Sequence, residues 1–116
     1  MNEARDSGSP TEKKRQLVEL FLQRTLEDVD HMRRSVPQLI AGDQASWQEL
    51  RFTAQRAAGM ARTLELGILG ACAKELAALA DEKFAGTTLD AQFLLSVTSA
   101  IDMVALEVDR LRNGHA

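Results

Sequence analysis

A run of small and large apolar residues at helical spacing, near the middle of the chain, restricts the fold more than any other feature. Steps of three and four residues place five side chains on one face of a helix: Leu50, Ala54, Ala57, Ala61 and Leu64. The centre of this stripe consists of small residues. The pattern predicts a helix whose apolar face belongs to the core.

The opposite face of the same helix carries a different set of residues. It contains Arg51, Phe52, Gln55, Gly59 and Arg62. A glycine inside a helix costs roughly 1 kcal/mol relative to alanine, so its presence invites an explanation. One interpretation is that a partner comes close to the helix at Gly59, one turn from Gln55. Phe52 is either an interface anchor or a side chain that tucks into the bundle.

Three further segments have the period of amphipathic helices. Their apolar stripes run from Leu22 to Leu39, from Leu69 to Leu79 and from Phe93 to Leu111. Pro37 predicts a kink or break near Ser35 and Val36, because proline lacks a backbone donor. No segment alternates apolar and polar residues as a strand does.

Turn signals separate these segments. Gly42-Asp43 predicts a turn that continues to about Ser46, after which Trp47 opens the central helix. Gly67 is predicted to supply a left-handed conformation after Leu64, and Gly86-Thr87-Thr88 forms the next turn. Short connections favour antiparallel neighbours. The predicted fold is therefore all-α, an antiparallel four-helix bundle.

The ends of the chain have a different character. Ser9-Pro10-Thr11-Glu12 fits a helix start, with Ser9 as the cap, and adds a short N-terminal helical extension to the bundle. Residues 1–8 are predicted to be a flexible tail. Asn113-Gly114 is a stop signal, so the domain is predicted to span residues 9–112, followed by a flexible tail over residues 113–116.

Composition limits the function and the compartment. A chain of 116 residues suits one domain, and a net charge of −3 gives no general attraction to nucleic acid or to an anionic membrane. One cysteine allows no internal disulfide, and no stretch is judged long and apolar enough to cross a bilayer. With no signal peptide visible, the cytoplasm is the predicted compartment.

The search for catalytic and metal-binding residues yields few candidates. His31 is predicted to be a surface residue on the long helix, and His115 lies in the terminal tail. Cys72 is predicted to be a packing residue. Two unconnected histidines and one cysteine predict no metal site, and no carboxylate pair suggests acid and base roles. We therefore predict no catalytic residue, no cofactor and no enzymatic activity.

Nearly the whole chain after the first ten residues resembles a histidine phosphotransfer (HPt) domain. The segments that carry the likeness are residues 17–22, Ala41-Gly42-Asp43, residues 54–64 and residues 69–79. The family motif has a phosphorylatable histidine, a lysine three residues later and a glycine four residues after the histidine. These positions hold Gln55, Ala58 and Gly59 here. The resemblance implies an HPt-like bundle that has kept the glycine and lost both chemical residues.

Gln55 bears directly on the activity. An imidazole nitrogen has a free lone pair that can accept a phosphoryl group, whereas the lone pair of the glutamine amide nitrogen is delocalised into its carbonyl. No phosphoryl transfer is therefore expected at this degenerate position. Restoring histidine alone is expected to give little transfer, because Ala58 lacks the positive charge that would stabilise phosphohistidine. Two interpretations of Gln55 remain open: it is an ordinary exposed helix residue, since glutamine is a good helix former, or it keeps a contact with a partner.

Two functions from different classes remain open at this stage. In the first, the domain docks a response-regulator receiver domain or a histidine kinase without carrying phosphate, through Phe52, Gln55, Arg56, Gly59 and Arg62. In the second, it is a structural or oligomerisation bundle with a decayed phosphotransfer site. Phosphorylation at an unexpected histidine is a weaker third alternative. The oligomeric state is not predicted.

Overall fold

A computed structural model describes residues 10–114, and this part of the chain is all-helical with no strand. Five helices follow one another: α1 (Pro10–Arg34), α2 (Val36–Ile40), α3 (Gln44–Thr63), α4 (Gly67–Phe84) and α5 (Ala91–Asn113). The predicted cap at Ser9, the predicted tail over residues 1–8, and His115 lie outside the described residues. The last helix reaches Asn113, the residue at which we had placed the start of the C-terminal tail.

The first helix is longer than the sequence pattern suggested. Residues 10–34 form one continuous helix, so the predicted N-terminal extension is not a separate element. No glycine or proline interrupts the segment after Pro10, which explains its continuity. The break predicted near Ser35 and Val36 is confirmed, because α1 ends at Arg34 and α2 begins at Val36 with Pro37 in its first turn.

The central helix begins earlier than expected. Asp43 caps α3, since its carboxylate accepts hydrogen bonds from the Ser46 amide (3.0 Å) and hydroxyl (2.6 Å). These bonds lower the pKa of Asp43 below its ordinary value. The helix therefore starts at Gln44 rather than at Trp47. Trp47 lies inside the first turns, fully buried, and its indole Nε1 donates to the Leu39 carbonyl at 3.0 Å.

Three helix ends share one backbone motif. The second residue after each helix end has positive φ, namely Gly42 (79°), Glu65 (62°) and Gly86 (106°). In each case the amide of the following residue donates a hydrogen bond to the carbonyl oxygen five residues earlier: Asp43 to Gln38, Leu66 to Ala61, and Thr87 to Glu82. This is the Schellman arrangement. The assignment of the left-handed residue to Gly67 was wrong, because Glu65 adopts that conformation and Gly67 is the first residue of α4.

The core lies where the predicted stripes meet. α3 packs most extensively on α4, α4 packs on α5, and α5 packs on α1. The whole predicted stripe of α3 is buried, which confirms its inward face: Leu50, Ala54, Ala57, Ala61 and Leu64. Trp47 and Phe93 pack with ring centroids 6.0 Å apart. The coarse prediction of an all-α helical bundle is therefore confirmed.

The expectation that no segment is long and apolar enough to cross a bilayer was wrong for one helix. The segment Ala91–Asn113 is long and apolar enough to cross a membrane by length and composition, with a mean hydropathy of 1.4 over its most apolar window. It forms α5, and 44% of that window is buried inside the bundle. The core helix of a soluble protein has the same character, so this helix is weak evidence for a membrane span.

Candidate functional site

A groove runs between α3 and α4 on the side of α3 that carries Gln55 and Gly59. It has a volume of about 620 Å³, and we refer to it as the α3–α4 groove. Its walls are mostly small residues. The lining comes from Gln55, Ala58, Gly59 and Arg62 of α3 and from Gly67, Gly70, Ala71, Lys74, Ala77, Ala78 and Asp81 of α4.

Small side chains at the floor of the groove let the two helices come close. A Cβ placed on Gly70 would lie 3.6 Å from the Ala61 Cβ and 3.7 Å from the Ala58 carbonyl oxygen. These are ordinary van der Waals distances, so the α4 backbone already lies close to α3. Ala61, one of the alanines of the predicted stripe, therefore has a direct packing role, because its small side chain lies against the α4 backbone at Gly70.

Gly59 differs from Gly70 in its surroundings. A Cβ placed on Gly59 would meet no atom within 4 Å. Its low helix propensity is therefore not explained by packing among residues 10–114. The residue lies in the interior of α3 and is exposed in the groove. The absence of an internal contact leaves room for an external one.

The predicted docking residues do not all lie together. Gln55, Gly59 and Arg62 line the groove, whereas Phe52 and Arg56 lie beside it on α3. Phe52 is 62% exposed, so it does not tuck into the bundle. The guanidinium of Arg56 lies 5.6 Å from the Phe52 ring centroid, within cation–π range. It also donates to the Asp28 carboxylate of α1 at 3.0 Å. Arg56 thus links α3 to α1.

Arg51 also has an internal partner. Its Nη1 lies 3.5 Å from Asp81 Oδ1 at one end of the α3–α4 groove, and its guanidinium carbon lies 4.5 Å from the Phe84 ring centroid. The charge of Arg51 is therefore directed at α4. It also balances Asp81, the acidic residue of the groove.

The remaining charges make the groove electropositive. Arg62 and Lys74 are exposed, and neither forms an ion pair within residues 10–114. Since Asp81 is paired, two cations are left beside Ala58 and Gly59 on a chain whose net charge is −3. Lys74 was not among the site residues predicted from the sequence. The signal that could have found it is the row of small residues on α4, which marks the side facing α3.

Other chemical candidates lie away from the groove. His31 Nε2 is 3.0 Å from Glu49 Oε1, which places this histidine in an exposed contact between α1 and α3. Burial, followed by the nearby Glu107 carboxylate, raises the pKa of the half-buried Cys72 thiol. A raised pKa disfavours the reactive thiolate. Among residues 10–114 there is no group of three or more His, Cys, Asp or Glu side chains that could hold a metal ion.

Comparison with known proteins adds no relative. No family model, no curated protein and no solved structure matched the chain.

Proposed function

We propose that this protein is a pseudo-phosphotransfer domain, which docks a receiver domain or a histidine kinase without itself carrying phosphate. In this proposal the helices form the antiparallel four-helix arrangement of an HPt domain. The protein acts in the cytoplasm as a modulator or competitor in a phosphorelay, with no enzymatic activity and no cofactor. The alignment of Gln55, Ala58 and Gly59 with the family motif motivates the proposal.

The observation that carries the proposal is the unfilled space at Gly59. Glycine in the middle of α3 costs roughly 1 kcal/mol of helix propensity relative to alanine, and no neighbouring atom requires it. A partner whose backbone or side chain enters the α3–α4 groove accounts for a residue without a Cβ at this position. Gln55 lines the same groove one turn away, where a phosphotransfer histidine would face its partner.

Chemistry at Gln55 supports docking without transfer. Its amide offers hydrogen-bond donors and an acceptor but no nucleophilic nitrogen. A receiver could therefore bind against α3 without giving up its phosphoryl group to this residue. Exposed Phe52 next to Gln55 offers apolar area for the same contact.

Substitution of Gly59 tests the proposal. Gly59→Arg should raise the melting temperature slightly through better helix propensity, and it should weaken receiver binding at least about tenfold by filling the groove. Ser99→Arg, at an exposed position of α5, is the matched control and should leave binding unchanged. Affinity is measured by calorimetry against a panel of purified receivers and kinase domains. Unchanged binding by Gly59→Arg would refute docking through this groove.

A second candidate function, self-association as an oligomerisation module, is favoured by the surface of α1. Leu17 and Leu20 are 55% and 68% exposed there. Exposed leucines one turn apart can contribute to a helix–helix interface. Molar mass is measured by light scattering between low and high protein concentration. A dimer that Leu20→Glu dissociates, and that Leu95→Glu on α5 leaves intact, would favour this function.

A further inference from the structure

The register of α3 against α4 can be read from two contacts. Arg51 of α3 pairs with Asp81 of α4 at 3.5 Å. At the other end, Gly70 of α4 packs against Ala61 of α3, where an added Cβ would lie 3.6 Å from the Ala61 Cβ. Residue numbers rise along α3 as they fall along α4, so the two helices run in opposite directions. This register sets which residues face each other across the groove.

Lys74 is level with Ala58 in this register. Seven residues separate Arg51 from Ala58, and seven separate Asp81 from Lys74. At 1.5 Å per residue, both distances along the helix are about 10.5 Å from the Arg51–Asp81 pair. Both residues also line the α3–α4 groove. An ammonium group is thus available from α4 at the height where α3 carries only a methyl group.

Arg62 adds a second cation on the α3 side. It follows Ala58 by four residues, so it lies one turn further along the same face of the helix. Gln55 precedes Ala58 by three residues and completes the row. The groove therefore presents an amide and two cations around Ala58 and Gly59. Neither cation forms an ion pair within the described range, residues 10–114.

We propose that Lys74 and Arg62 bind the phosphoryl group of a phosphorylated receiver domain, with Lys74 supplying from α4 the positive charge that position 58 lacks. This inference rests on the proposed docking function. A phosphoryl group carries a charge of about −1.5 to −2 and three acceptor oxygens, more than a single carboxylate offers. Two cations and the Gln55 amide match that demand. The protein consequently binds the phosphorylated receiver in preference to the unphosphorylated one.

The first experiment compares two states of one receiver. Affinity is measured for the free receiver and for the receiver loaded with beryllium fluoride, a mimic of the aspartyl phosphate. The unmodified protein should prefer the loaded form by about tenfold or more, consistent with charge-assisted hydrogen bonds. Lys74→Gln and Arg62→Gln should each remove most of that preference. Lys13→Gln, which removes an exposed lysine of α1, is the control for net charge and should retain it.

The outcomes separate this inference from the docking proposal. If Gly59→Arg abolishes receiver binding while Lys74→Gln keeps the full preference for the loaded form, docking stands and the role of Lys74 is refuted. If the unmodified protein binds both forms equally, the phosphoryl site is refuted while docking stands. If no receiver binds, the docking proposal fails, and the second experiment decides the role of Lys74.

The second experiment uses no receiver. Gln55→His is incubated with phosphoramidate. The lone pair of an imidazole nitrogen attacks phosphorus, and the new N–P bond forms as the P–NH₂ bond breaks. The leaving nitrogen takes up a proton and departs as ammonia. Labelling above that of the unmodified protein is followed by phosphorus NMR. Because Lys74 supplies the missing charge in this inference, Gln55→His should be labelled without any change at Ala58, in contrast to the expectation from the sequence that restoring histidine alone gives little transfer. Labelling should slow about tenfold or more when Lys74→Gln is added. Equal rates with and without Lys74 would overturn the inference.

Discussion

Glu65 is the only non-glycine residue with positive φ among residues 10–114. It ends α3 with the same hydrogen-bond pattern that Gly42 and Gly86 complete at their helices. A residue with a Cβ is disfavoured in this left-handed conformation, because the Cβ crowds the following carbonyl oxygen. Its carboxylate pairs with Lys14 of α1, which lowers the pKa of Glu65. The exposed ion pair offsets little of the backbone cost.

Glycine at position 65 should therefore stabilise the protein. We expect Glu65→Gly to raise the melting temperature by about 5 °C, because glycine adopts φ of 62° without steric cost. Glu65→Ala is the matched control, since it also removes the Lys14 pair but keeps a Cβ, and it should melt below Glu65→Gly. Gly86→Ala makes the opposite change at φ of 106° and should destabilise by about 1 kcal/mol. Equal melting of the two Glu65 variants would contradict this account.

Sequence reasoning at the residue scale succeeded for burial and failed for this turn. Periodicity alone placed Ala57 and Ala61 in the core. Glycine is the usual left-handed residue, so the search for one selected Gly67 and passed over Glu65. The hydrogen bond from the Leu66 amide to the Ala61 carbonyl fixes the true position. A sequence does not reveal which residue makes that bond.

Among the helices, the contact of α3 with α4 depends on the small size of its residues. Ala61 is fully buried at the closest approach of α4. Ala61→Leu should cost roughly 1 to 3 kcal/mol of unfolding free energy, since the larger side chain must push Gly70 away. Gly70→Ala is the control; its added methyl would meet neighbours at 3.6 Å or more and should be tolerated. Urea denaturation gives both values, and an unchanged midpoint for Ala61→Leu would show that the interface yields easily.

The helices themselves were largely predictable, and their mutual placement was not. Apolar stripes and turn glycines predicted the four long elements, and Pro37 predicted the break before α2, because these signals are local. Lys74 entered the candidate site only through the packing of α4 on α3. That register depends on contacts between residues distant in the sequence, such as Arg51 with Asp81. Periodicity within one helix carries no information about it.

For the whole molecule, burial is distributed unevenly along α1. Leu22 is its first buried side chain, and the preceding turns are mostly exposed. Local opening of residues 13–20 exposes little apolar surface. Their backbone amides should therefore exchange with solvent about a hundredfold faster than those of residues 69–80 in α4. Hydrogen exchange followed by mass spectrometry measures both segments. Equal protection would show that the N-terminal turns open only with the bundle.

Trp47 gives the protein an internal optical probe. Trp47 is the only tryptophan, and the chain has no tyrosine. The Trp47 indole is fully buried, packs against Phe93 and donates a hydrogen bond to the Leu39 carbonyl of α2. Its fluorescence should therefore be blue-shifted in the native protein and move to the red when the α2–α3 end of the bundle unfolds. Trp47 does not line the α3–α4 groove. Native emission can thus monitor the integrity of groove variants separately from their binding.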